Sequence, residues 1–352
     1  METKQLKINN AEFEHILILI QEAKYRVYAK ANTELVLLYF NVGKIVSEKV
    51  NVGNWGENTV QELADFIASK QPGLSGFNRR GLYRMKQFYE TYSSPQIVSS
   101  VMTQLQLTEN EANNFVSSAM TQINWTLHLV LLSKVKKIEE LFFYIEKVIS
   151  EKLTVKQLER TINTGTYERT LLGNQIVPLP VAQLSQNIFK DPYIFEFLNL
   201  LDGHSEKDFE MAIILNLQKF ILEVGKGFTY MGNQFRLQVG NKDYYTDLLF
   251  YHRDLQCLVL FELKIQEFEP EFLGKLNFYL EALDRNVKRH NENLSIGILL
   301  CKGKDTEVVE YAMARNTSPA IIAEYETKLI DKKLLADKLH QLAEILNKDI
   351  EL

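Results

Sequence analysis

The chain has 352 residues, 46% hydrophobic and 24% charged, with 7 prolines and 16 glycines. That is a globular composition with room for two or three domains, and it excludes collagenous, mucin-like and long disordered chains. Two cysteines, Cys257 and Cys301, cannot build a disulfide framework or a four-cysteine zinc site. The first residues lack the apolar core of a signal peptide, and no apolar run approaches the ~20 residues of a membrane span, so a cytoplasmic protein without membrane association is expected. The net charge of -5 excludes a wholly basic nucleic-acid coat, but it is unevenly spread. Residues 1–200 carry 21 Lys+Arg against 20 Asp+Glu, whereas residues 201–352 carry 19 against 25.

The first half reads as helical. Apolar residues at mixed three- and four-residue spacing predict helices over 12–31 and 33–49, parted at Asn32-Thr33, an N-cap pair. Another helix is expected over 57–70, ended by Gln71-Pro72-Gly73-Leu74-Ser75-Gly76. Residues 78–92 resume helix, and 93–122 read as a polar connection or weak helices. Helices follow over 124–132, 137–150 and Val155–Ile162. Gly165, Gly173, Pro178 and Pro180 then mark an inter-domain linker within 163–190. In the second half the period changes. A helix over 205–224 precedes strands at Phe228–Leu237 and Asp243–His252, split by the turn signal Gly240-Asn241. A strand at Leu255–Lys264, a helix over 270–284, a strand at Leu294–Cys301, a helix at Asp305–Ala314 and a strand at Ala320–Tyr325 complete the series. A charged helix over 329–348 ends it. The expected fold class is an α+β multidomain protein, an all-α N-terminal domain followed by a mixed α/β sheet domain. The expected divisions are 1–170 (helical, binding nucleic acid or a partner), 171–190 (linker), 191–326 (sheet domain) and 327–352 (C-terminal helix).

The chemistry sits on two strands. Glu262 and Lys264 are two apart and share a face, at the end of the apolar run Leu258-Val259-Leu260-Phe261. Asp247 interrupts a second apolar run. If these strands are neighbours, the two carboxylates converge at one end of the sheet. Two carboxylates with water and phosphate oxygens make a Mg²⁺ site, with Mn²⁺ an alternative ion, and a lysine beside it can orient a water and offset developing negative charge. The plain alternative is a buried Glu–Lys ion pair with a capping aspartate. On the helix over 205–224, Glu210 lies amid Ile213, Ile214, Leu217, Ile221 and Val224 on one helical face, where a carboxylate asks for a partner or a metal. Its place near the helix N-terminus is the competing explanation.

These strings carry a resemblance. Glu210, Phe220 to Gly225, Gly232-Asn233-Gln234-Phe235-Arg236-Leu237, Tyr245 to His252 and Phe261-Glu262-Leu263-Lys264 resemble the YhcG-type nucleases of the PD-(D/E)XK superfamily. The likeness continues through Gly274-Lys275, Phe278-Tyr279-Leu280 and Ser295 to Cys301. In the first half it rests on Trp55-Gly56, Pro72 to Asn78, Phe88-Tyr89, Trp125 and Tyr167-Glu168-Arg169, with Leu153 the one departure. The resemblance implies a helical N-terminal domain and a restriction-endonuclease-like sheet domain. It implies Glu210, Asp247, Glu262 and Lys264 as the catalytic set, joined by Gln234. Asp247 and Glu262 would be metal ligands, helped by the Leu263 carbonyl, with Glu210 holding a second metal or setting geometry. Lys264 would position water. It also implies work in defence, restriction or DNA processing beside restriction-modification or mobile-element partners.

Nucleic-acid contacts are expected from Phe77 to Lys86, where Arg79, Arg80, Arg84 and Lys86 occur without an acid. A solvated helix face is the competing reading. Lys275 and Tyr279, four apart on one helix face, are candidates for the scissile phosphate, against a solvated lysine and a core tyrosine. The sequence thus points to a metal-dependent phosphodiesterase acting on nucleic acid, DNA ahead of RNA, and suits a homodimer. The alternative is a non-catalytic nucleic-acid-binding or assembly module that keeps the fold.

Overall fold

The structure, a computed structural model, describes residues 2–52, 57–97, 99, 109–176, 187–201 and 203–340. Trp55-Gly56, the middle of the expected polar connection, Pro178, Pro180 and residues 341–348 of the expected last helix lie outside the described residues. The chain forms two compact units, Met1–Ile162 and Asn163–Leu352.

The first unit is all helical: α1 (Glu2–Asn51), α2 (Glu57–Lys70), α3 (Arg79–Tyr92), α4 (Glu109–Gln122), α5 (Trp125–Lys134), α6 (Ile138–Glu151) and α7 (Val155–Asn163). The break expected at Asn32 is absent, and α1 runs through as one helix of 50 residues. The reason lies in what Asn32 bonds. Its Nδ2 donates to the carbonyls of Thr121 and Ile123, at 3.0 and 3.1 Å, so the side chain serves tertiary contacts and caps nothing. Asn78 does cap, its Oδ1 accepting from the Gly81 N–H at 2.8 Å. From there Leu82, Met85, Phe88 and Tyr92 form the buried stripe of α3. A Cβ at Gly43 would lie 2.0 Å from the Met85 carbonyl oxygen, so Gly43 is there to let α1 and α3 cross closely. Of the two alternatives for 93–122, the described part takes the helical one as α4, because Val116, Ala119 and Met120 give even this polar stretch a buried side.

The second unit holds a six-stranded sheet in the order β1-β6-β5-β4-β3-β2. Its strands are β1 (Tyr193–Ile194), β2 (Phe228–Val239), β3 (Lys242–His252), β4 (Cys257–Leu263), β5 (Ile296–Cys301) and β6 (Ala320–Glu326). β1, β6, β5 and β4 run parallel, and β4, β3 and β2 pair antiparallel. All seven residues of β4 are buried, which is why it reads as an unbroken apolar run. Phe261 and Leu263 face one core with Phe195, Phe209 and Phe220, while Leu258 and Leu260 face the other with Leu276 and Leu280. Helices α9 (Glu206–Leu215) and α10 (Leu217–Val224) cover the first face, and α11 (Glu271–Asn286) covers the second. α12 (Thr306–Met313) connects β5 to β6.

Two sequence expectations fail here for physical reasons. The stretch read as linker contains α8 (Thr166–Ile176), and Arg169 on it is fully buried. All five guanidinium N–H groups are used: Nε on the Thr164 carbonyl (2.9 Å), Nη1 on the Pro192 carbonyl (3.0 Å) and on Glu223, and Nη2 on the Thr164 and Thr166 hydroxyls (both 3.1 Å). The second failure is the single helix over 205–224. It breaks at Asn216, whose Nδ2 turns back onto the Ala212 carbonyl at 3.0 Å and whose backbone leaves helical geometry. The two halves therefore present different faces. The deeply buried carboxylate is Glu223, paired with Arg169, and Glu210 is only half-buried.

Candidate active site

Register brings the two carboxylates together. The last β3–β4 pair is Leu248 with Phe261, so the next position along sets Asp247 opposite Glu262. There the ladder stops. Asp247 Oδ2 accepts the Leu263 N–H at 2.8 Å, replacing a backbone acceptor with a side chain and opening the strand end. Both residues share the parity of Leu249 and Leu260, and so one face of the sheet. β4 itself stays tied to β5, since the Lys264 N–H donates to the Leu300 carbonyl at 2.8 Å.

Glu262 is fully buried. Its Oε1 takes the Lys275 ammonium from α11 and lies 3.8 Å from Lys264 Nζ. Its Oε2 is buried with no hydrogen-bond partner. Burial, and then the charge of Asp247, push the Glu262 carboxyl up to about 7. Asp247 is raised too by burial, with the Leu263 N–H, Lys264 and Lys275 pulling the other way. Two crowded carboxylates, one with an orphaned oxygen, form a donor set that a hard divalent cation fits. Among the described residues no three acidic, histidine or cysteine side chains close round an ion by themselves, so a cation bound here would need further oxygen ligands.

Lys264 is nearly buried and points at the same spot. Its Nζ donates to the Leu263 carbonyl at 2.8 Å and to both oxygens of Glu206 at 3.2 Å, and it lies 5.6 Å from the Phe272 ring centre. Glu206 is a residue that sequence reasoning missed. It is the first residue of α9, inside the Ser205–Asp208 capping box, where an acid reads as dipole chemistry. One turn later comes Glu210, and its two oxygens accept from Asn233 Nδ2 (3.0 Å) and Gln234 Nε2 (2.8 Å). Gln234 holds a left-handed φ of 46° within β2, on the stretch facing Asp247, a conformation that costs a non-glycine residue about 1 kcal/mol or more. Asn233 is oriented by the Tyr230 hydroxyl at 2.9 Å. Glu206, Glu210, Asn233, Gln234 and Asp247 line one pocket of about 430 Å³, with Met211 and Ile214 as its apolar wall. The expected set Glu210, Gln234, Asp247, Glu262 and Lys264 therefore sits in one neighbourhood, with Glu206 and Asn233 added.

Lys275 is half-exposed, and its ammonium lies 5.2 Å from the ring centre of Tyr279, which is buried. In the first unit, Lys86 is committed to Glu90 at 2.6 Å, an acid just past the basic run, and Arg79 lies 5.8 Å from the Tyr83 ring centre. Arg80 is exposed and Arg84 half-buried.

Comparison with known proteins agrees with this division. Residues 186–340 match the family described as YhcG PDDEXK nuclease domain, and residues 15–169 match the DUF1016 N-terminal domain. The chain is 30% identical over 351 residues to YhcG of Escherichia coli (strain K12), covering 94% of this chain and 93% of that protein. Among solved structures it is similar to a repair endonuclease from Pyrococcus abyssi (16% identity, TM-score 0.24, 36% of this chain and 49% of that one). It is also similar to EndoMS in apo form (18% identity, TM-score 0.25, 37% of this chain and 48% of that one). The chain spans about half the length of each of these two structures.

Proposed function

The chain belongs to the YhcG family, joining a DUF1016 N-terminal domain to a PDDEXK nuclease domain of restriction-endonuclease-like fold, and on that premise we propose that it is a Mg²⁺-dependent nuclease hydrolysing phosphodiester bonds, in DNA ahead of RNA. The observation that carries this reading is the pairing of Asp247 with a buried Glu262 whose Oε2 has no partner, beside the Lys264 ammonium. Asp247 and Glu262 would hold the cation, with Glu210 as the third carboxylate on the pocket wall. A divalent ion held by these residues would supply Lewis-acid polarisation of the phosphate and activation of water. Lys264, steadied by Glu206, orients the attacking water and offsets charge growing on the phosphate. Asn233 and Gln234 fix Glu210. Lys275, supported by Tyr279, meets the backbone phosphate, and Arg79, Arg80 and Arg84 supply further phosphate contacts, with Lys86 held by Glu90.

The biological setting that goes with this reading is DNA processing or defence, beside restriction-modification or mobile-element partners. Among the described residues no helix is long and apolar enough to cross a membrane. The test is incubation with plasmid, linear and branched DNA and with RNA, under Mg²⁺, Mn²⁺ and EDTA, with Asp247→Ala as the blank. Cleavage that needs the metal and vanishes in the blank is expected. Cleavage that survives EDTA or the substitution would refute the assignment.

A further inference from the structure

Helix α1 carries a second feature unrelated to the nuclease reading. Residues 13–31 are exposed without interruption, 19 residues that follow one another along the helix. At 1.5 Å per residue this is about 28 Å of helix with no covering neighbour among the described residues. It is not a polar stretch. Phe13, Ile16, Leu17, Ile20, Val27 and Tyr28 are 46–73% exposed. At 100° per residue these six of the nine exposed large apolar residues fall within about 60° of one line along the helix, which also passes through Ala31, while Ile18, Leu19 and Tyr25 lie off it. An apolar stripe of this length exceeds what soluble monomers leave in water, and a helix that buries no face is marginal by itself.

We propose that this stripe is the surface on which a second copy of the chain docks, the two α1 segments lying antiparallel. The charge order along the helix distinguishes the two directions, although Glu22 and Arg26 already pair with each other at 3.6 Å. Residues 13–22 carry Glu14 and Glu22 with no lysine or arginine, and residues 23–31 carry Lys24, Arg26 and Lys30 with no acid. Antiparallel copies set each acidic half beside a basic half, and parallel copies would align like with like. Lys24 lies on the seam itself. In a parallel in-register pair it would meet its own copy, and in the antiparallel pair it is separated from it. Full overlap of the 13–31 stripe puts Phe13 of one copy opposite Ala31 of the other. The same register sets Leu17 against Val27, Ile16 against Tyr28, and Ile20 along the stem of Lys24. Side chains of this size over about 28 Å give an interface approaching the ~800 Å² per partner of stable complexes.

The test uses the whole 352-residue chain and does not depend on its activity, so it fails or succeeds apart from the nuclease assignment. Sedimentation is expected to give a dimer, and Ile16→Glu with Ile20→Glu to raise its Kd by on the order of a hundredfold or more. Both sites are exposed in the single chain, so the variant should still fold, with any fall in its melting temperature limited to the lost association. The direction is read by disulfide trapping, since Cys257 and Cys301 are buried. An equimolar mixture of Phe13→Cys and Ala31→Cys chains should cross-link far more than either variant alone. A monomeric wild type, a dimer indifferent to the glutamates, or equal cross-linking by Phe13→Cys alone would each overturn the proposal.

Discussion

Lys275 shows how much of the site depends on single residues. Its ammonium is the close counter-charge of the buried Glu262, with Lys264 farther away at 3.8 Å. Lys275→Met should leave Glu262 under-compensated and destabilise the protein in EDTA by about 1–3 kcal/mol, the lower end reflecting the exposure of Lys275. Mg²⁺ should then raise the melting temperature of this variant more than that of wild type, because the cation supplies the missing charge. Equal shifts in a thermal melt would place the cation elsewhere. Not every such residue was legible. Glu262 and Lys264 stand out in sequence because charges end an apolar strand, and Asp247 because it interrupts one. Glu206 carries no such mark, since acids are ordinary at a helix start, and its partner Lys264 is 58 residues away.

At the scale of elements, buried polar networks hold the pieces in place. Arg169 joins α8 to the segment before β1 and, through Glu223, to α10. Glu223 also accepts the Ile194 N–H at 3.1 Å. Arg169→Met would strand a buried carboxylate and should cost about 3–5 kcal/mol in urea unfolding; a loss under 1 kcal/mol would show that Glu223 finds another partner. In the first unit His128 is fully buried. Its Nε2 faces the Met120 carbonyl at 2.9 Å and so carries the proton, leaving Nδ1 to accept from the Tyr92 hydroxyl at 2.9 Å. Burial lowers its pKa from 6.5 to about 4. Between those values the unfolded chain binds the extra proton, so stability is full above pH 6.5 and falls as pH drops toward 4, by about 3 kcal/mol at most. Urea midpoints across that range should show the loss in wild type and a flatter profile in His128→Gln. Periodicity revealed α2, α3 and most of the strands, because one-sided burial writes itself into spacing. It misplaced the ends and breaks of α1 and of α9–α10, because Asn32 and Asn216 look alike in sequence. One bonds across the unit and leaves its helix intact, and the other bonds its own helix and ends it.

For the whole molecule, the uneven charge acquires a structural counterpart. The acidic excess falls in the half with Glu206, Glu210, Asp247 and Glu262, and the near-neutral half carries the basic start of α3. A chain with a net charge of -5 gains little from general phosphate attraction, so binding to DNA without a divalent ion should be weak and only shallowly salt-dependent. The order of elements was readable in advance because three strands, a helix, a strand, a helix and a strand admit few sheet arrangements. The two-residue β1 was not, being too short to show a period. If Asp247, Glu262 and Lys264 act as one hydrolytic site, Lys264→Met should disable it. This change keeps the length and apolar stem of the side chain and removes only the ammonium. Plasmid nicking in Mg²⁺ should fall by roughly 10²–10³-fold or more while DNA binding and the melting temperature in Mg²⁺ stay close to wild type. Nicking at the wild-type rate by the folded Lys264→Met protein would contradict the account.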